Sequence, residues 1–296
     1  MKRRSGGIYR RQRKPSDPGQ EFEETQLMIQ EIRSFEQYEG FISELAEDPL
    51  YSDPHFIYDR DNLYGSINRK DEYAFAVTEN GTAAGIFVWL VIPDEQFIEM
   101  LIGFTREENI FAEMLSYMEK NWPGYQMDFV FNPQNPAVAR VLERKGAAFE
   151  PEQQKMVFTG PTPEVPTSGI ELLTEKWGKQ YCELHRTNVY WTAERILSAQ
   201  DRFRTLVAIK DGQVQGYIDV TYSYDENEIY DLFVKPEAAQ EDYGLALLAK
   251  ATELNGPHQM MVLVDADAGE DIALYTAAGF AKVEGQNSVF AQIPKV

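Results

Sequence analysis

The chain has a single cysteine, Cys182, among 296 residues, which excludes an internal disulfide framework. Its three histidines, His55, His185 and His258, are scattered, leaving little for a zinc site or a histidine-based triad. No stretch approaches the roughly 18 consecutive apolar residues of a membrane helix, and no apolar segment of the kind a secretory signal carries follows the basic N-terminus. The expectation is a soluble, cytoplasmic protein. No metal is expected, so chemistry must come from carboxylates, hydroxyls, tyrosines or backbone groups.

What the chain has in excess is acid. Its 48 Asp and Glu against 28 Lys and Arg give a formal charge of −20. Residues 1–14 hold seven of those cations and no acid, so setting them aside leaves about −27 on the rest. Such a body should repel nucleic acid and attract cations, which favours a cationic small molecule or peptide as partner. The basic arm could bind RNA, an acidic membrane or the protein's own acidic surface, but is read as a solvated, disordered terminus. Apart from a weak role for that arm, neither membrane nor nucleic acid is expected as a partner, and the oligomeric state stays open.

At 43% apolar residues the chain can bury one large core or two medium ones. Three prolines and two glycines between residues 160 and 169 interrupt all periodicity and mark a connector. The halves on either side repeat one plan. In the second, a helical stretch at 175–198 precedes strands at 205–210 and 215–222 around the turn Asp211-Gly212, then a strand at 228–234. A helix at 245–254, strand at 260–265, helix at 271–278 and strand at 288–293 follow. The first half shows a helix at 34–46, strands at 73–77 and 85–92 around Asn80-Gly81, and an extended segment at 95–104. It continues with a helix at 107–121, strand at 126–131, helix at 136–145 and strand at 154–158. The expected class is α/β (α+β), with two tandem domains, each a mixed, largely antiparallel sheet flanked by helices. The expected boundaries are a basic arm at 1–23, a first domain at 24–160, a linker at 161–168 and a second domain at 169–296.

The segment at 229–251 (IYDLFVKPEAAQEDYGLALLAKA) resembles the acetyl-CoA-binding core of the GNAT acyltransferase superfamily, a strand ending in V-x-P, a Q/R-x-x-G-x-G/A loop, and a helix. Val234-Lys235-Pro236 and Tyr243–Leu248 fall at the matching places. DIALYTAAGF at 271–280 is similar to the family's second motif, and its tyrosine is Tyr275. More distantly, NPAVARVLERKGAAFE at 135–150 resembles that motif in the first half, with Leu142 in the tyrosine position. The resemblance implies acyl-CoA, most simply acetyl-CoA, as cosubstrate, held by Phe233, Val234, Gln240, Tyr243, Gly244, Leu245 and Ala246. In such a loop, backbone N–H groups at a helix N-terminus bind the pyrophosphate. In the gapless register Asp242 replaces the first glycine, with Glu241 beside it; a one-residue insertion would make Gln240 the leading residue and Gly244-Leu245-Ala246 the G-x-A.

The resemblance further implies that Tyr275 protonates the departing thiolate and that a carboxylate takes the amine proton. Glu228 and Asp231 are the leading candidates for that base, with Asp219 and Asp225 nearby in sequence. Strand alternation puts Glu228, Tyr230 and Leu232 on one face and Ile229 and Asp231 on the other. The aromatics of Tyr190-Trp191 open a helix that could wall an acceptor pocket or pack in the core, and Cys182–His185 reads as ordinary helix. The first half lacks V-x-P and any cradle glycine after Gly103, so it reads as a scaffold or substrate-shaping domain. The implied function is direct acyl transfer to an amine; the rival is a non-catalytic GNAT-like binding or regulatory protein with a decayed cofactor loop.

Overall fold

The computed structural model describes residues 7–10, 26–187, 189 and 191–295, the side chains of residues 7–10, 239 and 240 excepted. The described residues fall into two compact units, one of those up to 152 together with 285–295, the other of those within 153–284. In chain order the first unit contains β1 (Gly7–Arg10), β2 (Gln26–Glu31), α1 (Glu39–Ala46), α2 (Pro54–Tyr58) and α3 (Asp61–Tyr64). It continues with β3 (Glu72–Glu79), β4 (Thr82–Ile92), β5 (Phe97–Thr105), α4 (Glu108–Asn121), β6 (Gln126–Phe131), α5 (Pro136–Arg144) and β7 (Ala148–Phe149). The β3–β4 hairpin turns on Asn80 and Gly81 at φ 51° and 82°, the two positive values a type I′ turn requires. Along β4 the period-2 pattern sends Phe87, Trp89 and Val91 into a core beneath α4 and α5, and Ile86 and Val88 into one beneath α1–α3. Asn135 caps α5, accepting from the Ala137 N–H at 3.0 Å, with Pro136 in the first turn.

The second unit comprises β8 (Gln153–Phe158), β9 (Ile170–Leu172), α6 (Glu175–Leu184), α7 (Ala193–Ser198), β10 (Phe203–Lys210), β11 (Gln213–Thr221) and β12 (Glu226–Val234). After these come α8 (Tyr243–Asn255), β13 (Gln259–Asp265), α9 (Gly269–Ala277) and β14 (Phe280–Lys282). Its hairpin turn repeats the first, with Asp211 and Gly212 at φ 50° and 74°. The last strand, β15 (Val289–Ile293), belongs to the first unit. Among the described residues the sheets are eight-stranded, in the order β1-β2-β3-β4-β5-β6-β15-β7, and seven-stranded, in the order β14-β8-β13-β12-β11-β10-β9. Each is antiparallel except for one parallel pair, β5–β6 and β12–β13.

Three expectations change. A boundary at 161–168 puts the strand at 154–158 in the first domain and that at 288–293 in the second. The hydrogen bonds place them the other way round: β8 runs antiparallel to β13, with Met156 in the second unit's core, and β15 runs antiparallel to β6, with Val289 and Ala291 in the first. Alternation shows that such a segment is a strand; which sheet edge it joins is set by packing. Within the basic arm Gly7–Arg10 pairs with β2, while the rest of the arm lies outside the described residues. The helix expected at 175–198 breaks into α6 and α7.

Candidate active site

The parallel pair of the second unit separates partway along. β12 and β13 are in register only from Glu226–Gln259 to Ile229–Val262; beyond that β12 bonds β11, and β13 bonds β8. A bulge accompanies the parting: Asp219 faces Asp231 and Val220 faces Ile229, so Tyr230 has no opposite number. Bulges bend and twist the strand that carries them, here away from β13. The resulting cleft, about 480 Å³, is lined by Asp231, Phe233 and Val234 of β12, Val264 and Asp265 of β13, Asp271, Leu274 and Tyr275 of α9, and Arg186 after α6. Besides the strands, lining groups come from α9 and from the loop after α6.

The bulge also overturns the simple alternation. Ile229, Leu232 and Val234 all pack with α8 and α9, whereas Asp231 shares the opposite face with Tyr217 and Asp219. Glu228, next to Ile229 and on the other side of the strand, falls on that same face, its N–H donating to Thr221 Oγ1 at 2.7 Å. The extra residue at Tyr230 shifts the phase by one, which strict period-2 reading cannot see.

Glu228 is half-buried and its carboxylate makes no hydrogen bond among the described residues. Burial, reinforced by the neighbouring Glu226 charge and only partly offset by Lys155, pushes its pKa up to about 7. Asp231 accepts from the Tyr217 hydroxyl at 2.6 Å and lies 3.6 Å from Arg186 Nε. Tyr275 is 6% exposed, yet its hydroxyl has no partner among the described residues. Burial and the charges of Asp271 and Asp231 hold its pKa well above the ordinary tyrosine value, so it stays a proton donor at neutral pH. Asp219 is not available as a base: it is fully buried, accepting from Thr205 Oγ1 at 2.5 Å and Tyr181 Oη at 3.0 Å, with His185 Nε2 at 3.2 Å. Asp225 is exposed in the turn before β12. Arg186 and Tyr217 were missed by sequence reasoning; nothing around an isolated Arg after a helix signals a cleft.

At the other end of the cleft, α8 starts at Tyr243. A single 3-10 segment, Pro236–Glu241, leads into it; among the described residues the N–H groups of Tyr243, Gly244 and Leu245 make no hydrogen bond, and no side chain caps the helix. Ala246, expected in the cradle, is instead buried and donates its N–H to the Asp242 carbonyl at 2.9 Å. Asp242 stands at φ 53°, the left-handed conformation that a glycine adopts readily and Asp tolerates. Glu241 is tied to Lys210 Nζ at 2.5 Å and to the Tyr243 hydroxyl at 3.1 Å. Neither acid lines the cleft; both border a separate groove with Tyr243, Pro166 and Ile209. A Cβ on Gly244 would stand 3.3 Å from Leu274 and 4.0 Å from Val234, two cleft residues, so larger side chains would crowd this end. Leu245 packs against the core, and the side chains of Ala239 and Gln240, like Tyr190, lie outside the described residues.

The first unit repeats this geometry. β5 and β6 stay in register only as far as Met100–Phe129, and a bulge at Leu101 follows, between the Val88–Ile102 and Trp89–Met100 pairs. Leu101 therefore corresponds to Tyr230 and Glu99 to Glu228; burial raises the pKa of Glu99 as well. Here the chain itself occupies the strand edge beyond the bulge. The Gly103 N–H donates to buried Asp53 at 2.9 Å, and the Leu101 carbonyl accepts from His55 Nδ1 at 2.8 Å. Asn132, just past β6, donates to the Pro49 carbonyl at 2.8 Å and holds the same segment from the other side.

A gapped parallel pair with a bulge beside it, present in both units and joined in the second by an uncapped helix at one end, is the plan of the GNAT class of fold. Residues 167–296 match the family model described as an acetyltransferase (GNAT) domain. A GNAT N-acetyltransferase from Sphaerobacter thermophilus superposes with a TM-score of 0.56 at 18% identity, over 75% of this chain and 82% of that one. A tandem GNAT protein from the clavulanic acid biosynthesis pathway does so with a TM-score of 0.52 at 14% identity, over 90% and 98%. A glucosamine N-acetyltransferase region of a fungal multi-domain β-N-acetylglucosaminidase gives 0.56 at 10% identity, over 90% of this chain and 38% of that one. No curated protein matches. The chain has the tandem GNAT fold, and its residues 167–296 match the GNAT domain model.

Proposed function

We propose that the second unit transfers an acyl group, most simply acetyl, from acyl-CoA directly to an amine. The observation that carries this reading is the cleft between β12 and β13: a Tyr275 hydroxyl with no partner among the described residues at its side, uncapped helix N–H groups at one end, and neither loop acid, Glu241 or Asp242, in its lining. Tyr243, Gly244 and Leu245 would hold the cofactor's pyrophosphate through backbone N–H groups. When bound, acyl-CoA supplies a thioester carbonyl and a thiolate leaving group. Glu228 takes the proton of the attacking amine, through water; Asp231 orients that amine; Tyr275 donates its proton toward the departing sulfur. No covalent enzyme intermediate is needed. The first unit, whose equivalent strand edge is bonded by Asp53 and His55, serves as scaffold and takes no donor.

Calorimetric titration with acetyl-CoA tests this. One site per chain is expected, and Gly244→Glu, which places a carboxylate and its bulk against the cradle, should weaken binding by about 1–4 kcal/mol, roughly 10- to 1000-fold. Absence of wild-type binding at millimolar ligand would leave a non-catalytic GNAT-like module.

A further inference from the structure

We infer that Arg186 and Asp231 select an acceptor that carries a carboxylate beside its amine, a free α-amino acid; this rests on the acyltransferase reading above. Arg186 lines the cleft with its side chain 55% exposed, and its one contact through the guanidinium is Nε to Asp231 Oδ1 at 3.6 Å. Both terminal nitrogens are without a partner among the described residues, which leaves the planar fork that matches a carboxylate facing open space.

The root of this side chain is fixed at the backbone. Its backbone is held at both ends: the N–H donates to the Tyr217 hydroxyl at 3.4 Å, and the carbonyl accepts from His185 Nδ1 at 2.8 Å. Those two groups belong to a buried polar assembly in which the His185 ring stacks on Tyr217 at 5.0 Å and His185 Nε2 meets Asp219. Because Nδ1 must carry a proton to bond a carbonyl, the second imidazole proton lies toward the Asp219 carboxylate. A buried ionic pair is costly to build and is weak evidence of stabilisation. What this one does is fix the Arg186 backbone and, through the Tyr217 hydroxyl on Asp231 Oδ2 at 2.6 Å, the Asp231 carboxylate.

A carboxylate has about four acceptor positions, and Asp231 uses two, so it can still receive an ammonium. The molecule therefore presents an open cation and an open anion side by side. A zwitterion whose charges are one carbon apart satisfies both; an alkylamine leaves the fork empty, and a plain carboxylate leaves Asp231 empty. The other cleft acids, Asp265 and Asp271, repel a carboxylate anywhere but at Arg186, which orients the acceptor. In the transfer the amine nitrogen bonds the acyl carbon and the carbon–sulfur bond breaks. The bound ammonium first gives one proton to Glu228 and on to solvent, which frees the lone pair that attacks; Tyr275 gives its proton to sulfur and recovers one, through water, from the nitrogen after attack.

The test uses the full chain with acetyl-CoA and L-phenylalanine, L-glutamate and L-lysine, each against its amide and its decarboxylated amine. Wild type should prefer the free acid by roughly 10- to 1000-fold in kcat/KM. Arg186→Gln should bring that ratio close to one, mainly through KM, and Arg186→Lys should keep part of it. Independently of turnover, a free amino acid should raise the melting temperature of the CoA-loaded wild type and not of CoA-loaded Arg186→Gln, both variants keeping wild-type circular dichroism. Amides turned over as well as acids would overturn the inference while leaving the acyltransferase intact. So would a preference for succinyl-CoA over acetyl-CoA that Arg186→Gln abolishes, since the fork would then read the donor. Failure of acetyl-CoA to bind at all would instead remove the reading beneath it.

Discussion

Glu228→Gln separates catalysis from stability with opposite signs. The carboxyl is half-buried beside Glu226, and its pKa rises from 4.5 to about 7 mainly because burial disfavours the charged form. A shift of that size corresponds to about 3 kcal/mol at roughly 1.36 kcal/mol per unit. The group keeps contact with water, so about 1–3 kcal/mol is expected in practice. The folded pKa lies above the unfolded one, so the folded state binds the extra proton. The penalty is absent below about pH 4.5, grows between about 4.5 and 7, and is constant above. Glutamine removes the charge. The variant should therefore unfold at higher urea than wild type at pH 8 and at the same urea near pH 4. Activity moves the other way: wild-type kcat/KM should rise about tenfold per pH unit up to about 7 and then level off. The variant should lose roughly 10²–10⁴-fold, about 3–5 kcal/mol in the barrier, together with that pH dependence. Equal stabilisation at pH 4 and pH 8 would refute the charge-burial argument. A wild-type profile flat through pH 7 would refute the base.

Two further substitutions address the tyrosine and the closed strand edge. Tyr275→Phe removes a hydroxyl with no partner among the described residues, so stability should change by less than about 0.5 kcal/mol while kcat falls roughly 10²-fold with KM little altered, read by urea melts and steady-state kinetics. Asp53→Ala strands the buried N–H groups of Phe56 and Gly103, and should cost the first unit about 2–4 kcal/mol in urea unfolding. Titration of that variant with acetyl-CoA should still give one site per chain; two would show that the first cleft is only masked.

Much of the fold was legible locally. Asn80-Gly81 and Asp211-Gly212 announce their hairpins because a two-residue turn with both φ values positive has few sequence solutions. The motif at 271–280 located Tyr275, which does line the cleft. Less legible was anything that depends on phase or on partners distant in the chain. The bulge at Tyr230 moved Glu228 and Asp231 onto one face, although alternation had separated them. Asp219, a reasonable base by proximity in sequence, is consumed by Tyr181, Thr205 and His185. The acids of the cofactor loop could be weighed only once Lys210 was seen to hold Glu241 beside another groove.

By itself, the amino-acid order determined two copies of one α/β plan, the turns within each, and the helix that carries Tyr275, because periodicity and turn chemistry act over a few residues. Tertiary structure alone decided which edge received β8 and β15, because an unpaired edge accepts any strand of suitable pattern. It decided as well that the first unit closes its strand edge with Asp53 and His55 while the second leaves a cleft open. That difference rests on two side chains meeting a strand some fifty residues away in sequence.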